Sequence, residues 1–82
     1  MTVRQHIINF LTHKWYGDKK FYTSDIQNLS YRSKQFGRIL GSPDTYNRAF
    51  RQLRLDDIVK VDKVNIPHKR EAGWKLKEFK HD

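Results

Sequence analysis

Cysteine is absent from this chain of 82 residues, so neither a disulfide nor a thiolate–zinc site can hold it together. Long apolar runs are absent too. None approaches the roughly 20 residues that crossing a bilayer requires, and no signal-peptide pattern opens the chain. An intracellular protein is expected, in cytoplasm, nucleoid or nucleus, with no membrane partner. Proline occurs twice and glycine four times, and no linker, repeat or low-complexity segment divides the chain. Residues 1–82 therefore read as a single domain, close to the lower size at which a hydrophobic core alone supports folding. Clustered catalytic groups are lacking as well. His6, His13, His68 and His81 are scattered, Asp56-Asp57 is the only carboxylate pair, and no glycine-rich phosphate loop occurs. The expectation is a protein that is not an enzyme and has no cofactor, metal or small-molecule ligand.

Acids are the scarcest charged class. Against 17 Lys+Arg there are 9 Asp+Glu, giving a net charge of +8 and a pI near 10.0. The imbalance is concentrated. Between Ile26 and Leu55 the only acid is Asp44, while Arg32, Lys34, Arg38, Arg48, Arg51 and Arg54 are all basic. A surface of this kind suits a polyanion, which makes nucleic acid the expected partner class.

What is present is 37% hydrophobic residues and 13% aromatics, enough for a small core. Thr2 with Gln5 matches a capping box, and Val3, Ile7, Phe10 and Leu11 recur at helical spacing. A helix is predicted over residues 3–15, ended by Gly17-Asp18. Phe21-Tyr22 allows a very short strand. Thr23-Ser24 with Gln27 predicts the start of a second helix carrying Ile26 and Leu29. Ser33 reads as the cap of a third, with Phe36, Ile39 and Leu40 turned inward; the two segments read equally as separate helices or as one kinked helix.

The stretch "LGSPDTYNRAFRQLR" is the most informative. Gly41 reads as the helix breaker, Ser42 as the next cap and Pro43 as first helical residue, where a missing N–H costs nothing. Over residues 43–54, Tyr46, Ala49, Phe50 and Leu53 form an apolar stripe at i, i+3, i+4 and i+7, and Asp44, Asn47, Arg48, Arg51 and Arg54 form the opposite face. A helix, a glycine turn and a helix basic on its outer face make a helix-turn-helix. Beyond it, "DIVKVDKV" and "GWKLKEF" alternate as strands, the second with Trp74 and Leu76 on one face and Lys75 and Lys77 on the other. Residues 65–73 form a polar loop carrying His68, Lys69 and Arg70.

This order, with Leu40-Gly41-Ser42 followed by Thr45-Tyr46-Asn47-Arg48, resembles the winged helix-turn-helix DNA-binding domains over residues 3–79. The turn is one residue shorter than the family's, and Ser30 to Gln35 lengthens the region before it. The resemblance implies an α+β fold of three to four helices followed by a two-stranded β-hairpin wing. It also implies sequence-specific binding of double-stranded DNA by a small transcriptional regulator. Asn47, Arg48 and Arg51 would face the major groove, Ser42 and Thr45 a phosphate, and Lys69 and Arg70 on the wing the backbone or minor groove. Arg54 would simply be solvated. The competing functions are a protein–protein interaction module and an RNA-binding protein. A homodimer through helix 3–15 is also expected, because Ile8 and Trp15 lie beside the main apolar stripe of that helix.

Overall fold

Thr2 Oγ1 accepts from the Gln5 N–H at 3.2 Å, and the Gln5 side chain accepts from the Thr2 N–H at 2.9 Å. This reciprocal cap starts α1 (Val3–Tyr16) by satisfying two N–H groups that a helix start leaves without partners. The helix ends where Gly17 N–H reaches the carbonyls of His13 and Lys14. The structure is a computed structural model and describes residues 1–37, 39–64 and 73–79. After α1 come β1 (Lys20–Tyr22), α2 (Thr23–Arg32), a 3-10 turn (Ser33–Phe36), α3 (Pro43–Leu55), β2 (Val59–Val64) and β3 (Gly73–Phe79). The protein is α+β, three α-helices packed with a three-stranded antiparallel sheet. Among the described residues no helix is long and apolar enough to cross a membrane.

The sheet corrects the expected two-stranded hairpin. Its order is β1-β3-β2, so the last strand is the central one and the three-residue β1 forms the far edge. Phe21 faces Trp74 across β1–β3, and Val61 faces Leu76 across β2–β3. Between Leu76 and Glu78 the extra residue Lys77 makes a bulge, which shifts the alternation by one. Phe79 consequently joins Leu76 in the core, where strict alternation would have sent it outward.

Ile7 and Leu11 of α1, Ile26 and Leu29 of α2, and Tyr46, Phe50 and Leu53 of α3 close over Phe21, Val59, Leu76 and Phe79 of the sheet. The stripe predicted on α3 is thus the buried one. Ile8 and Trp15 are partly buried against the same core. Part of the apolar side face from which pairing through α1 was expected is thus covered within one chain, and part stays accessible. Lys19, in the left-handed region at φ 63, lays its ammonium 4.1 Å from the centroid of Trp15.

Three other expectations are corrected between α2 and α3. Ser33 does not cap a third α-helix. It is fully buried, donates to the Ser30 carbonyl at 2.6 Å and accepts from the Leu40 N–H at 3.2 Å, tying a single 3-10 turn to the strand-like approach to α3. Leu40 is half-buried, and Ile39, expected inward, is 64% exposed. The left-handed residue is Gly37, at φ 84, not Gly41. Gly41 suits its place for a different reason: a Cβ there would lie 3.0 Å from both Thr45 Cγ2 and Val3 Cγ2, a tight contact where α3 begins against α1. α2 begins at Thr23 as expected, but its N-cap residue is Tyr22, whose N–H donates to Asp25 in the first turn at 2.8 Å, where Gln27 was expected to act.

His6 joins α1 to α3. Its Nδ1 lies 2.7 Å from the Tyr46 hydroxyl, and both residues are buried. Burial, with a smaller contribution from the charge of Arg32, pulls the His6 pKa below the ordinary 6.5. The unfolded chain then binds a proton more readily than the folded one, so stability is full above 6.5 and falls as pH drops toward the folded value. The melting temperature of the wild type is expected to decline from about pH 7.5 to about pH 5. His6→Gln, with nothing to titrate there, should decline less; equal declines would remove His6 as the cause.

Candidate functional site

α3 is set up by local chemistry at both ends. Ser42 Oγ accepts from the Thr45 N–H at 3.2 Å, and Pro43 occupies the first turn with Asp44 beside it, where a negative charge suits the helix dipole. At the other end Asp56 donates its N–H to the Gln52 carbonyl, and Asp57 takes a left-handed conformation that turns the chain into β2. The apolar stripe of α3 faces the core, so its remaining side chains stand on an outer face. Arg48 and Arg51 are exposed there and Asn47 is half-exposed.

Those three residues line one groove of about 300 Å³ between α3, the start of α2 and β3. Phe50 forms its base. Its other side is made by Thr23 and Trp74, whose indole N–H donates to Thr23 Oγ1 at 3.0 Å. Asp44 stands at one end. The groove is open, more a concave face than a cavity for a small molecule.

Arg54 is the residue the sequence placed wrongly. It is half-buried, with its guanidinium carbon 4.6 Å from the ring centroids of both Phe50 and Trp74. Its Nε is buried with no hydrogen-bond partner. Burial lowers its pKa from the ordinary arginine value, and the neighbouring charge of Arg51 lowers it further. A signal existed: Phe50 and Arg54 are i, i+4 on one helix, a spacing at which a cation reaches a ring.

Among the described residues no acid forms an ion pair with these arginines. Asp56 pairs with Arg4 at 3.2 Å and accepts from Gln52 at 2.9 Å; Asp18 pairs with Lys14, Glu78 with Lys60 and Asp62 with Lys77. Asp25 is committed to its cap. Arg48, Arg51 and Arg54 are left without an ion pair, and Asp44, one turn before Arg48, makes none with it.

Comparison with family models, curated proteins and solved structures gives no match. The site is therefore read from its own chemistry. Of the residues expected to act, Asn47, Arg48 and Arg51 are brought together. Ser42 and Thr45 sit at the helix start outside that groove, their hydroxyls 3.0 Å apart. The Thr45 N–H, expected to be free for a phosphate, is already bonded to Ser42, and Pro43 has none to give. Lys69 and Arg70 lie outside the described residues. Thr23, Trp74 and Arg54 are the additions. Among the described residues no three His, Asp or Glu side chains gather where they could hold a metal ion.

Proposed function

We propose that this chain is a winged helix-turn-helix domain, single over residues 1–82, that binds double-stranded DNA with the outer face of α3. The observation that carries the reading is the row of Arg48, Arg51 and Arg54 on one helix face, three cations with the single acid Asp44 in their groove and no ion pair among the described residues. A solvated structural face would be expected to interleave its charges. The element order supports the fold reading, with α3 preceding two strands whose connection carries Lys69 and Arg70. The short β1 closing on β3 is compatible with it.

The mechanism follows from groove size. The B-DNA major groove is about 12 Å wide and admits one helix, so Arg48 and Arg51 can fork onto guanine O6 and N7, and Asn47 onto adenine N6 and N7. The major groove of duplex RNA is too narrow for this, which favours DNA. Such a partner would place the protein's work in the cytoplasm, nucleoid or nucleus, as a small regulator acting by occupying its site.

Gel shifts with duplex DNA, single strands and duplex RNA, followed by selection of bound sequences from a random DNA pool, test the proposal. On the selected site, Arg48→Ala is expected to cost about 1–3 kcal/mol, and much less on random DNA. The variant should melt as the wild type does, since the side chain is exposed and not in the core. Equal losses on both DNAs would mean that α3 holds the backbone without reading bases.

A further inference from the structure

Arg54 combines three properties that a solvated arginine lacks. It is fixed in place by two aromatic rings, it leaves a buried donor unpaired, and it shares its groove with a second guanidinium, that of Arg51. The ring of Trp74 is itself held, edge-on to Phe50 at 5.7 Å and by its hydrogen bond to Thr23. A guanidinium stacked on such a pair has given up its side-chain freedom before any ligand arrives. Arg54 lines the α3 groove, and also a hollow on its other side, where Lys63 and Lys77 stand with the acids Asp57 and Asp62. Arg51, one turn earlier, lines the first groove. Two like charges close enough for one to disfavour the other are a cost in the free protein, which an anion between them removes.

The geometry points to Arg51 and Arg54 as a clamp for one backbone phosphate, with Phe50 and Trp74 as the positioning residues that hold Arg54 in it. The reading of the ligand as a phosphodiester of DNA rests on the function proposed above. The chemistry of the clamp itself asks only for a phosphate. A guanidinium offers parallel N–H groups to two oxygens of one phosphate, the pairing in which arginine surpasses lysine. The clamp explains why this cation, unlike the exposed Arg48, is built into the rim of the core. It carries no sequence preference, because a phosphate presents the same oxygens at every base pair. Arg54 would thus set where α3 lies in the groove, and Arg48 and Asn47 would read what is found there.

Two measurements test this. Inorganic phosphate is titrated into the wild type at constant ionic strength while the Arg54 Nε–Hε signal is followed by 15N-resolved NMR. The signal is expected to move saturably, and to move less in Arg51→Ala. Separately, the salt dependence of binding to a short duplex of random sequence is compared for wild type, Arg54→Met, Arg54→Lys and Arg4→Ala. Arg54→Met retains an apolar stem against the rings and should lower the salt slope by about one. Arg54→Lys keeps the charge and should keep the slope while binding more weakly. Arg4→Ala, which removes a charge paired with Asp56 away from the groove, should leave the slope as it is. An Arg54 signal indifferent to phosphate, or an Arg54→Met slope equal to that of the wild type, overturns the clamp. If phosphate moves the signal while duplex DNA does not bind, the clamp stands and the DNA reading falls.

Discussion

Phe50→Ala is expected to lower the free energy of unfolding by about 3–5 kcal/mol, the largest loss of any single change considered. At this length the whole stability is about 4–12 kcal/mol, so the variant will be partly unfolded at room temperature or close to it. The size follows from position. Phe50 is 1% exposed and meets Phe21 edge-on at 5.5 Å and Trp74 at 5.7 Å, joining α3 to two strands at once. Its loss leaves a cavity that neither strand can fill without breaking its pairing with the other. Arg54 would also lose one of its two rings, so DNA binding by the folded fraction should weaken as well. Urea unfolding measures the first effect. Phe50→Leu, which leaves a smaller void, should lose about 1.5 kcal/mol or less. A midpoint for Phe50→Ala within error of the wild type would mean that the ring does not bridge helix and sheet.

Affinity for random duplex DNA is expected to fall about 500-fold between about 50 mM and 200 mM salt. The figure comes from five cations: Arg48, Arg51 and Arg54 on α3, with Lys69 and Arg70 of the connecting loop. Neutralising about five phosphates gives a slope of log K against log salt near −4 to −5. Lysines already paired on the sheet, Lys60 with Glu78 and Lys77 with Asp62, are left out of the sum. Fluorescence anisotropy with a labelled duplex gives the slope directly. A slope near zero would remove nucleic acid as the partner, whatever the affinity at one salt concentration.

How far residues alone foretell this protein depends on the range of the interaction. The caps were legible, because Thr2 with Gln5 and Ser42 with Pro43 act within one turn of helix. So was the stripe of Tyr46, Phe50 and Leu53, which a single period defines. Ser33 misled because a serine hydroxyl serves equally as a helix cap or as a buried bridge. Only the presence of the Leu40 N–H seven residues on decides between them. Gly41 misled for a related reason: glycine answers both to backbone angle and to lack of room, and the room is denied by Val3, far away in sequence. The pairing of β1 with β3 joins residues more than fifty apart and leaves no local mark. In the site, Arg48 and Arg51 could be found by helical phase. For Arg54 the i, i+4 spacing from Phe50 was the one local sign, and its second ring, Trp74, comes from a distant strand that leaves none.

The position of β3 in the sheet bears on how the chain is made. During synthesis β1 and β2 emerge well before Gly73–Phe79, yet neither is paired with the other; both hydrogen-bond only to that last strand. Until it leaves the ribosome the sheet has no centre, and Phe21 and Val59 lack Leu76 and Phe79 to pack against. The helices can form early, but the core cannot close progressively from the amino end. Closure of the core therefore waits for β3, and a nascent chain halted before Gly73 would display the unpaired edges of β1 and β2 to its neighbours.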